Sequence, residues 1–432
     1  MAADEEFWGS CKELRLIRQF AHYHVGSPWS YLGSCMARAV TAVPYNVVLP
    51  DIIGNYVSTG IYIALVGDPG HGKGSSDGAA ARLMPCDIYS SKLGSGEGIT
   101  HQFAGRDKDG ELVWHERSIL FESSEAETMR ALAGRKDTTL MGELRSAWMG
   151  EQLGFAYSDI KKRLVLRALS YRLSVLASFT PSVSDVLLDG VYEGTPQRFL
   201  YLPVSEPDLP DEDFIKMPRS QLRLNIPSVN ELDLVQVEVP SWVRYELRED
   251  HRAKVRREFG QMSESELLDT HINLVRLKTA FALGLVTNPH RHDYYVSEDD
   301  WEMSEYIMNK SRETRDRMIE AAESARASKD RREGRSLGTR YVASDEVRKL
   351  GSVPGRILTI LREERKSGKN NGWMSGGNIR NKMTQQQRKA FSDSMDSLTA
   401  DGKVETKPAA TSTPSSGSIT LTLRYRIAKK LR

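Results

Sequence analysis

The sequence of 432 residues has few cysteines and no long apolar run. Its three cysteines, Cys11, Cys35 and Cys86, form no CxxC pair, so neither a disulfide framework nor a zinc site is expected. No run of about 18 apolar residues occurs, which argues against a membrane-spanning helix. The N-terminal MAADEEFWGS is acidic and lacks the basic and apolar segments of a signal peptide. We therefore expect a protein of a reducing cytoplasm.

The net charge is only +2, but the two parts of the chain differ strongly in charge. Residues 321–432 contain 24 Lys and Arg against 11 Asp and Glu, whereas residues 1–320 contain 36 against 47. This excess of basic charge suggests a C-terminal module that binds a polyanion, most simply DNA. A solvated basic linker would give the same charge pattern.

Five apolar stretches are predicted to be buried strands of an α/β sheet, because helical segments alternate with them. They are IYIALV (61–66), CDIYSS (86–91), SILFE (118–122), RLSVLASFT (172–180) and RFLYLPV (198–204). Residues 1–50 are predicted to form an N-terminal helical segment with a break at Gly26-Ser27-Pro28. We assign residues 51–240 to the α/β core.

Three further segments follow the core. Residues 241–328 have apolar residues at helical spacing and are predicted to be a helical domain, with Ser297 as an N-cap. Residues 329–354 are charged and weakly patterned, which is typical of a linker. Residues 355–432 are predicted to contain three short helices and a β-hairpin, the elements of a winged helix-turn-helix.

In a winged helix the last helix enters the major groove of DNA and the hairpin touches phosphate. QQQRKAFSDSMDSL is predicted to be that helix. Winged helices also bind other proteins, and the basic charge of this segment favours DNA. The candidate DNA-binding residues are Arg380, Lys382, Arg388, Lys389, Arg424 and Arg426.

The stretch VGDPGHGKGSS, residues 66–76, lies between a predicted strand and a predicted helix. Closely spaced glycines let backbone amides face a phosphate, and a lysine and the helix N-terminus neutralise its charge. Gly74 occupies the position where such loops have Ser or Thr, so the hydroxyl for Mg²⁺ is expected from Ser75 or Ser76. The candidate nucleotide-binding residues are Gly67, Asp68, Pro69, Gly70, His71, Gly72, Lys73, Gly74, Ser75 and Ser76.

Polar residues near other predicted strand ends complete this candidate site. Glu122 ends a strand and is predicted to orient Mg²⁺ through water, with Glu125 as a second carboxylate. Glu97 stands between glycines in GSGEG, where it could orient an attacking water. Thr180 is a candidate γ-phosphate sensor, and Arg198 a phosphate contact in the same or a neighbouring subunit. A strand-end acid, an exposed turn glutamate and a salt-bridged arginine are the structural alternatives.

Together these motifs resemble a family of P-loop proteins from bacteria, actinobacterial phages and mobile elements, labelled primase/helicase-associated or phage replicative helicase-like. Members of that family also have Gly after the loop lysine. The similarity covers most of residues 7–320. It follows the stretches FWGSCKELRLIRQFA, SPWSYLGSCMARAVTAVPYNVVLP, VGDPGHGKGSS, SGEG, ILFESSEAE, GTPQRFLYLPV and VSEDDWEMSEYIMNKSRETR.

The resemblance implies a RecA-like core that hydrolyses ATP with Mg²⁺, assembles into a ring, most simply a hexamer, and acts on DNA in a bacterial host cytoplasm. It implies Lys73 as the phosphate lysine, Glu97 as the catalytic glutamate, Glu122 as the Walker B acid and Arg198 as a conducting arginine. The expected function is an ATP-dependent DNA motor or a replication-initiation protein.

Two other functions remain open from the sequence. A nucleoside-monophosphate-kinase-like phosphotransferase would also have GKG followed by Ser, and DGVYEGTPQR is similar to the Asp-Gly and Pro-Arg element of those enzymes. A nucleotide-regulated DNA-binding protein would have the same loop and the same basic C-terminal segment without unwinding DNA.

Overall fold

The computed structural model describes residues 2–123, 129, 131, 139–154, 164–188, 190–211, 216–258, 262–412 and 419–428. Glu125 lies outside these ranges. The chain forms two compact units, Met1–Arg326 and Ala327–Arg432. None of the helices in these ranges combines the length and apolar content of a membrane-spanning segment.

The elements of the first unit alternate between helices and strands. The helices are α1 (Ala2–Gly9), α2 (Lys12–Tyr23), α3 (Pro28–Ala42), α4 (Lys73–Leu83), α5 (Gly96–Phe103), α6 (Leu140–Met149), α7 (Asp185–Leu188), α8 (Ser241–Val255), α9 (Glu264–Leu268), α10 (Ile272–Thr287) and α11 (Glu298–Gly351). The strands are β1 (Val47–Leu49), β2 (Val57–Ser58), β3 (Tyr62–Val66), β4 (Tyr89–Lys92), β5 (Ala104–Arg106), β6 (Leu112–Trp114), β7 (Ser118–Ser123), β8 (Leu153–Gly154), β9 (Val165–Leu166), β10 (Arg172–Phe179), β11 (Phe199–Pro203) and β12 (Val235–Gln236).

The centre of this unit is a five-stranded parallel sheet in the order β11-β3-β10-β7-β4. All five strands predicted from the sequence take part in it, so the prediction of an α/β core is confirmed. β3 and β10 are buried along their whole length, which explains their nearly continuous apolar sequences. Smaller ladders join β12-β1-β2, β5-β6 and β8-β9.

The N-terminal helices belong to the same core as the sheet. α3 is buried on almost every face and packs against the sheet, α4 and α10. Gly33 permits this close packing, because a Cβ atom there would lie 2.8 Å from Leu202 Cδ1. The predicted break at Gly26-Ser27-Pro28 is present, and α1 and α2 are separated by a further break at Ser10.

A buried arginine ties the end of α3 to the sheet. Arg172, the first residue of β10, is fully buried and its guanidinium donates hydrogen bonds to four backbone carbonyls. These carbonyls belong to Val40, Val43, Pro44 and Val47. Because the carbonyls satisfy most of its donors, the arginine can be buried without a carboxylate partner.

Residues 241–328 are mainly helical, as the sequence predicts, and contain α8, α9, α10 and the first part of α11. Ser297 caps α11, because its Oγ accepts from the amide of Asp300 at 3.1 Å. The segment predicted as a linker, 329–354, is helical up to Gly351. It is rich in Arg, Glu and Ala, which favour helix, and has no proline before Pro354.

The second unit packs helices against a small antiparallel sheet. Its elements after α11 are α12 (Val353–Lys366), β13 (Met374–Ser375), α13 (Gly376–Asn381), α14 (Gln385–Lys389), α15 (Phe391–Ala400), β14 (Val404–Ser412) and β15 (Ile419–Ile427). The sheet order is β13-β15-β14. The core consists of Ile357, Ile360, Leu361, Met374, Ile379, Met383, Phe391, Met395, Leu398, Val404 and Ile427.

The prediction that QQQRKAFSDSMDSL forms one helix is wrong. α14 ends at Lys389 and α15 begins at Phe391, with Ala390 between them at φ −96° and ψ 10°. Phe391 is 6% exposed and belongs to the core, whereas α14 has no buried residue. The break lets the exposed turn α14 and the buried start of α15 point in different directions.

Candidate nucleotide site

The carboxyl ends of the five parallel strands meet at one edge of the sheet, which we call the carboxyl edge. The loop after β3 and the residue after β10 are neighbours there, because the Gly67 amide donates to the Phe179 carbonyl at 3.1 Å. Glu122 and Ser123 end β7 at the same edge. Binding sites of open α/β sheets commonly lie at this edge, so the structure brings together most of the predicted site residues.

The loop after β3 has the conformation that its glycines make available. Gly70 and Gly72 have positive φ angles of 91° and 74°, which residues with a side chain rarely adopt. Residues 68–72 are exposed, and α4 begins directly after them at Lys73. A helix N-terminus following an exposed glycine loop is suited to bind an anion. The side chains of Lys73 and Ser75 lie outside the described part of the structure.

Glu122 is paired with an acid that the sequence analysis did not select, Asp77 on α4. Their carboxyl groups are in hydrogen-bonding contact, and Ser90 also bonds to Glu122. Burial and the neighbouring Asp77 raise the pKa of Glu122 to about 7, and burial also raises the pKa of Asp77. Two carboxyls this close cannot both ionise without a compensating charge. The pair therefore holds a proton or a cation at neutral pH.

The two acids line a small cleft of about 50 Å³ at the carboxyl edge, which we call the carboxylate cleft. Its lining residues are Leu65, Gly74, Asp77, Glu122, Ser123, Leu176 and Ser178. Gly74 and Asp77 are three residues apart on α4 and so lie on one face of the helix. That spacing, read from the glycine that lacks the expected hydroxyl, is the sequence signal that would have identified Asp77.

Of the two serines predicted to serve Mg²⁺, Ser76 is 3% exposed and is not among the described lining residues of the carboxylate cleft. The role of Ser75 stays a prediction. A Mg²⁺ ion prefers oxygen ligands, and Asp77, Glu122, Ser123 and Ser178 supply only oxygens. The residues present at this cleft therefore fit a divalent cation.

Glu97 lies in the first turn of α5, which follows β4 beyond the carboxyl edge. Its side chain is exposed, and Ser95 caps the helix by accepting from the Gly98 amide at 3.2 Å. Gly96 has a packing reason, because a Cβ atom there would lie 2.4 Å from Thr139 Oγ1. The position of Glu97 agrees with a residue that reaches a bound nucleotide, although the glycine before it serves packing.

Thr180 lies where the sequence placed it, directly after β10 and next to the loop. Its hydroxyl is 3.3 Å from that of Ser182. Because the preceding Phe179 bonds to Gly67, Thr180 is held beside the phosphate loop. Its assignment as a phosphate sensor stays a prediction with suitable placement.

Arg198 lies at the opposite edge of the sheet. It precedes β11, whose other end, Pro203, pairs with Val66 next to the loop. Four residues of strand separate the two ends by about 13 Å. The Arg198 guanidinium lies 5.4 Å from the Trp148 ring centroid and donates to the Gly194 carbonyl. Arg198 therefore does not reach a phosphate bound in its own subunit; a role in a neighbouring subunit stays a prediction.

A larger cavity of about 590 Å³ adjoins the phosphate loop. Its side next to the loop consists of Val66, Gly67, Asp68, His71 and Pro181. Aromatic and proline side chains form part of the rest, namely Trp8, Trp29, Pro203 and Pro207. A cavity of this size with apolar walls is large enough for a nucleoside.

Two of the six predicted DNA-binding residues are engaged within the second unit. Arg388 Nε donates to the Arg380 carbonyl at 2.8 Å and so closes the end of α13. Arg426 forms an ion pair with Glu405 and lies 4.5 Å from the Trp373 ring centroid. These two arginines stabilise the fold of the unit, which reduces what they can offer to phosphate.

The remaining four basic residues are less constrained. Lys389 is exposed on α14, and Lys382 lies 4.0 Å from Glu364. Arg380 lies over the Phe391 ring at 5.7 Å, and Arg424 is half-buried on β15. These four are the better candidates for contacts with phosphate.

The last helix is acidic on its exposed side. α15 contains Asp393 and Asp396, both exposed, and no Lys or Arg. Its sequence therefore does not suit a helix that enters the major groove of DNA, where phosphates line both sides. The basic residues predicted at the start of this helix, Arg388 and Lys389, belong to α14.

No known protein-family model matches this sequence, and comparison with curated proteins gives no significant match. The similarity to helicase-like P-loop proteins thus depends on the motifs and their order. The geometry of the carboxyl edge is an independent basis for a functional proposal.

Proposed function

We propose that this protein is a RecA-like ATPase that acts on DNA, as a helicase-like motor or a replication-initiation protein. One observation carries the proposal. The glycine loop after β3, Thr180 after β10 and Glu122 at the end of β7 follow three adjacent parallel strands and meet at one edge of the sheet. A phosphate loop, a polar sensor and a metal-orienting acid are the parts required for nucleotide hydrolysis.

The order of the strands supports the RecA-like class. Numbered in chain order from β3, the sheet reads 5-1-4-3-2, so that β10 lies between the loop strand and the strand of Glu122. This is the strand order of RecA-like ATPases. It is a fold-level argument and is used only together with the site residues.

ATP and Mg²⁺ are the cofactors of this proposal. The loop amides and Lys73 would hold the phosphates, the large cavity beside the loop would hold the nucleoside, and Glu122 would orient Mg²⁺ through water. Bound Mg²⁺ neutralises the charge that develops on the transferred phosphoryl group. Glu97 would accept a proton from the attacking water, and Thr180 would bond to the terminal phosphate.

The second unit would supply the DNA contacts. Its order of helix, short strand, helices and hairpin, with sheet order β13-β15-β14, is that of a winged helix. Because α15 is acidic, binding is proposed to use phosphate contacts from Lys389, Arg380 and Arg424 rather than base readout by that helix. The proposed assembly is a ring of identical subunits, most simply a hexamer, in a bacterial host cytoplasm.

Of the alternatives, the nucleoside-monophosphate-kinase reaction has the least support. The DGVYEGTPQR motif ends at Arg198, at the opposite edge of the sheet from the phosphate loop. An arginine at that edge cannot bind a second nucleotide beside the first.

A nucleotide-regulated DNA-binding protein without unwinding activity is the second candidate. The half-buried Arg198, packed over Trp148, favours it, because a motor that shares its sites between subunits needs an arginine that reaches the neighbouring phosphate. A motor would separate the strands of a tailed duplex with ATP, whereas the second candidate would bind that duplex and leave it intact.

The shared part of both proposals is tested by DNA affinity. We expect a band shift with single-stranded DNA to differ between ATP analogue and ADP in the wild type, and to be the same with both nucleotides in Lys73→Ala. Equal DNA affinity of the wild type in all nucleotide states would contradict both candidates. A strand-displacement assay then distinguishes between them.

A further inference from the structure

Asp77 is the one acid of the carboxylate cleft that the functional assignment above does not use. We propose that Asp77 is a direct ligand of the divalent cation that accompanies the nucleotide, in place of the hydroxyl that Gly74 lacks. This inference rests on the proposed function, since it concerns the metal of the same nucleotide site.

The position of Asp77 on α4 is the first support. Gly74 and Asp77 face the same cleft, because residues three apart lie on one face of a helix. A Cβ atom at Gly74 would meet nothing within 4 Å, so the position next to the loop lysine is open space. The longer aspartate side chain, one helical turn further along, supplies an oxygen to that space.

Unsatisfied polar groups are the second support. Asp77 Oδ1 is buried and has no hydrogen-bond donor among the described residues unless Glu122 carries a proton. Ser178, on the other wall of the cleft, is 6% exposed, and no hydrogen bond of its hydroxyl is present among the described residues. Buried polar groups normally have partners, and a site where several lack one is suited to a ligand that supplies the missing interactions.

The charge of the cleft identifies the ligand as a cation. Two carboxyl groups are in contact, and the described lining residues include no Lys, Arg or His. Arg38 attracts both carboxyls from α3 but forms no ion pair with either in the described part of the chain. A small divalent cation that prefers oxygen ligands satisfies both carboxylates at once. In its absence a shared proton occupies the same place.

The test measures metal and nucleotide binding without turnover. Binding of a fluorescent ATP analogue is titrated in EDTA and in Mg²⁺, and Mn²⁺ affinity of the nucleotide complex is measured by electron paramagnetic resonance. Asp77→Asn is compared with Asp87→Asn, which makes the same charge change at an exposed position after α4. Ser75→Ala and Ser76→Ala test the hydroxyl alternative.

We expect Asp77→Asn to weaken Mn²⁺ binding by at least about tenfold while nucleotide affinity in EDTA stays within about twofold of the wild type. Asp87→Asn should bind Mn²⁺ like the wild type. Restoring the usual hydroxyl in the double variant Asp77→Asn/Gly74→Ser should recover part of the lost affinity. Because Asn removes a like charge from the pair, the metal-free variant should unfold at a temperature no lower than the wild type.

Wild-type Mn²⁺ affinity in Asp77→Asn, with loss in Ser75→Ala or Ser76→Ala, would overturn the assignment of Asp77 and leave the proposed function intact. A wild-type protein that binds no nucleotide in either buffer would overturn the proposed function and this assignment with it.

Discussion

Val204 packs against Gly67 so closely that a Cβ atom on Gly67 would lie 2.2 Å from Val204 Cγ2. Val204 follows β11, and its amide donates to the Val66 carbonyl at 2.9 Å. The first residue of the phosphate loop is thus fixed against the neighbouring strand from both backbone and side chain. This contact explains why the loop begins with glycine although Gly67 has no positive φ angle.

We expect Gly67→Ala to lower the free energy of unfolding by about 1–3 kcal/mol, because the methyl group overlaps with Val204. Val204→Ala removes the atom that clashes and should rescue Gly67→Ala. Urea denaturation of the two single variants and the double variant measures the coupling between the sites. Additive losses in the double variant would show that the clash is relieved elsewhere.

Arg198 is predicted to have no direct role in nucleotide binding within its own subunit. At protein concentrations low enough to keep subunits apart, Arg198→Ala should bind a fluorescent ATP analogue with wild-type affinity, whereas Lys73→Ala should bind it weakly. The reason is the distance between the two edges of the sheet. A loss of more than about tenfold in Arg198→Ala, with an unchanged unfolding temperature, would disprove the placement described above.

Arg388 and Lys389 are adjacent basic residues with different predicted roles. Arg388→Ala should destabilise the second unit by about 1–2 kcal/mol, because it removes hydrogen bonds to backbone carbonyls at the end of α13. Lys389→Ala should leave stability unchanged, weaken DNA binding at all sequences and reduce the slope of log affinity against log salt by about one. Thermal unfolding and fluorescence anisotropy with labelled DNA separate the two effects; the reverse assignment of these losses is the contradicting result.

His271 is predicted to make the protein sensitive to acid. Burial and the positive charges of Arg198, Lys254 and Lys278 lower the pKa of His271 from 6.5 to about 4. The folded state therefore binds this proton only at lower pH than the unfolded chain does, so the stability it contributes is present above pH 6.5 and is lost as the pH falls towards 4. This loss should reach about 2–3 kcal/mol.

Urea denaturation at pH 7.5 and at pH 4.5 measures this effect. His271→Gln should lose less stability between the two pH values than the wild type, and the exposed His251→Gln should behave like the wild type. An identical decrease in all three proteins would exclude His271 as the source.

The strands of the core could be predicted from the sequence because each is a local pattern. IYIALV and RLSVLASFT read as buried strands, and both are buried along their length. The order of the strands could not be predicted, since pairing β3 with β10 depends on contacts more than 100 residues apart in the chain. Arg198 looked like a phosphate ligand for that reason: its distance from the loop is a property of the sheet.

Within the candidate site, the loop and Glu122 were identified because motifs define them. Asp77 was missed because its role comes from packing α4 against β7, which no local pattern reveals. The break at Ala390 was missed for a similar reason, since the core position of Phe391 decides where α15 begins.

The central claim is that the glycine loop and the acids at the carboxyl edge form an ATPase site that responds to DNA. The most direct measurement is the steady-state rate of ATP hydrolysis with and without single-stranded DNA, for the wild type, Lys73→Ala and Glu122→Gln. We predict hydrolysis that DNA stimulates in the wild type and a loss of about 100-fold or more in each variant. A wild-type rate that is no higher than that of Lys73→Ala, with or without DNA, would contradict the account.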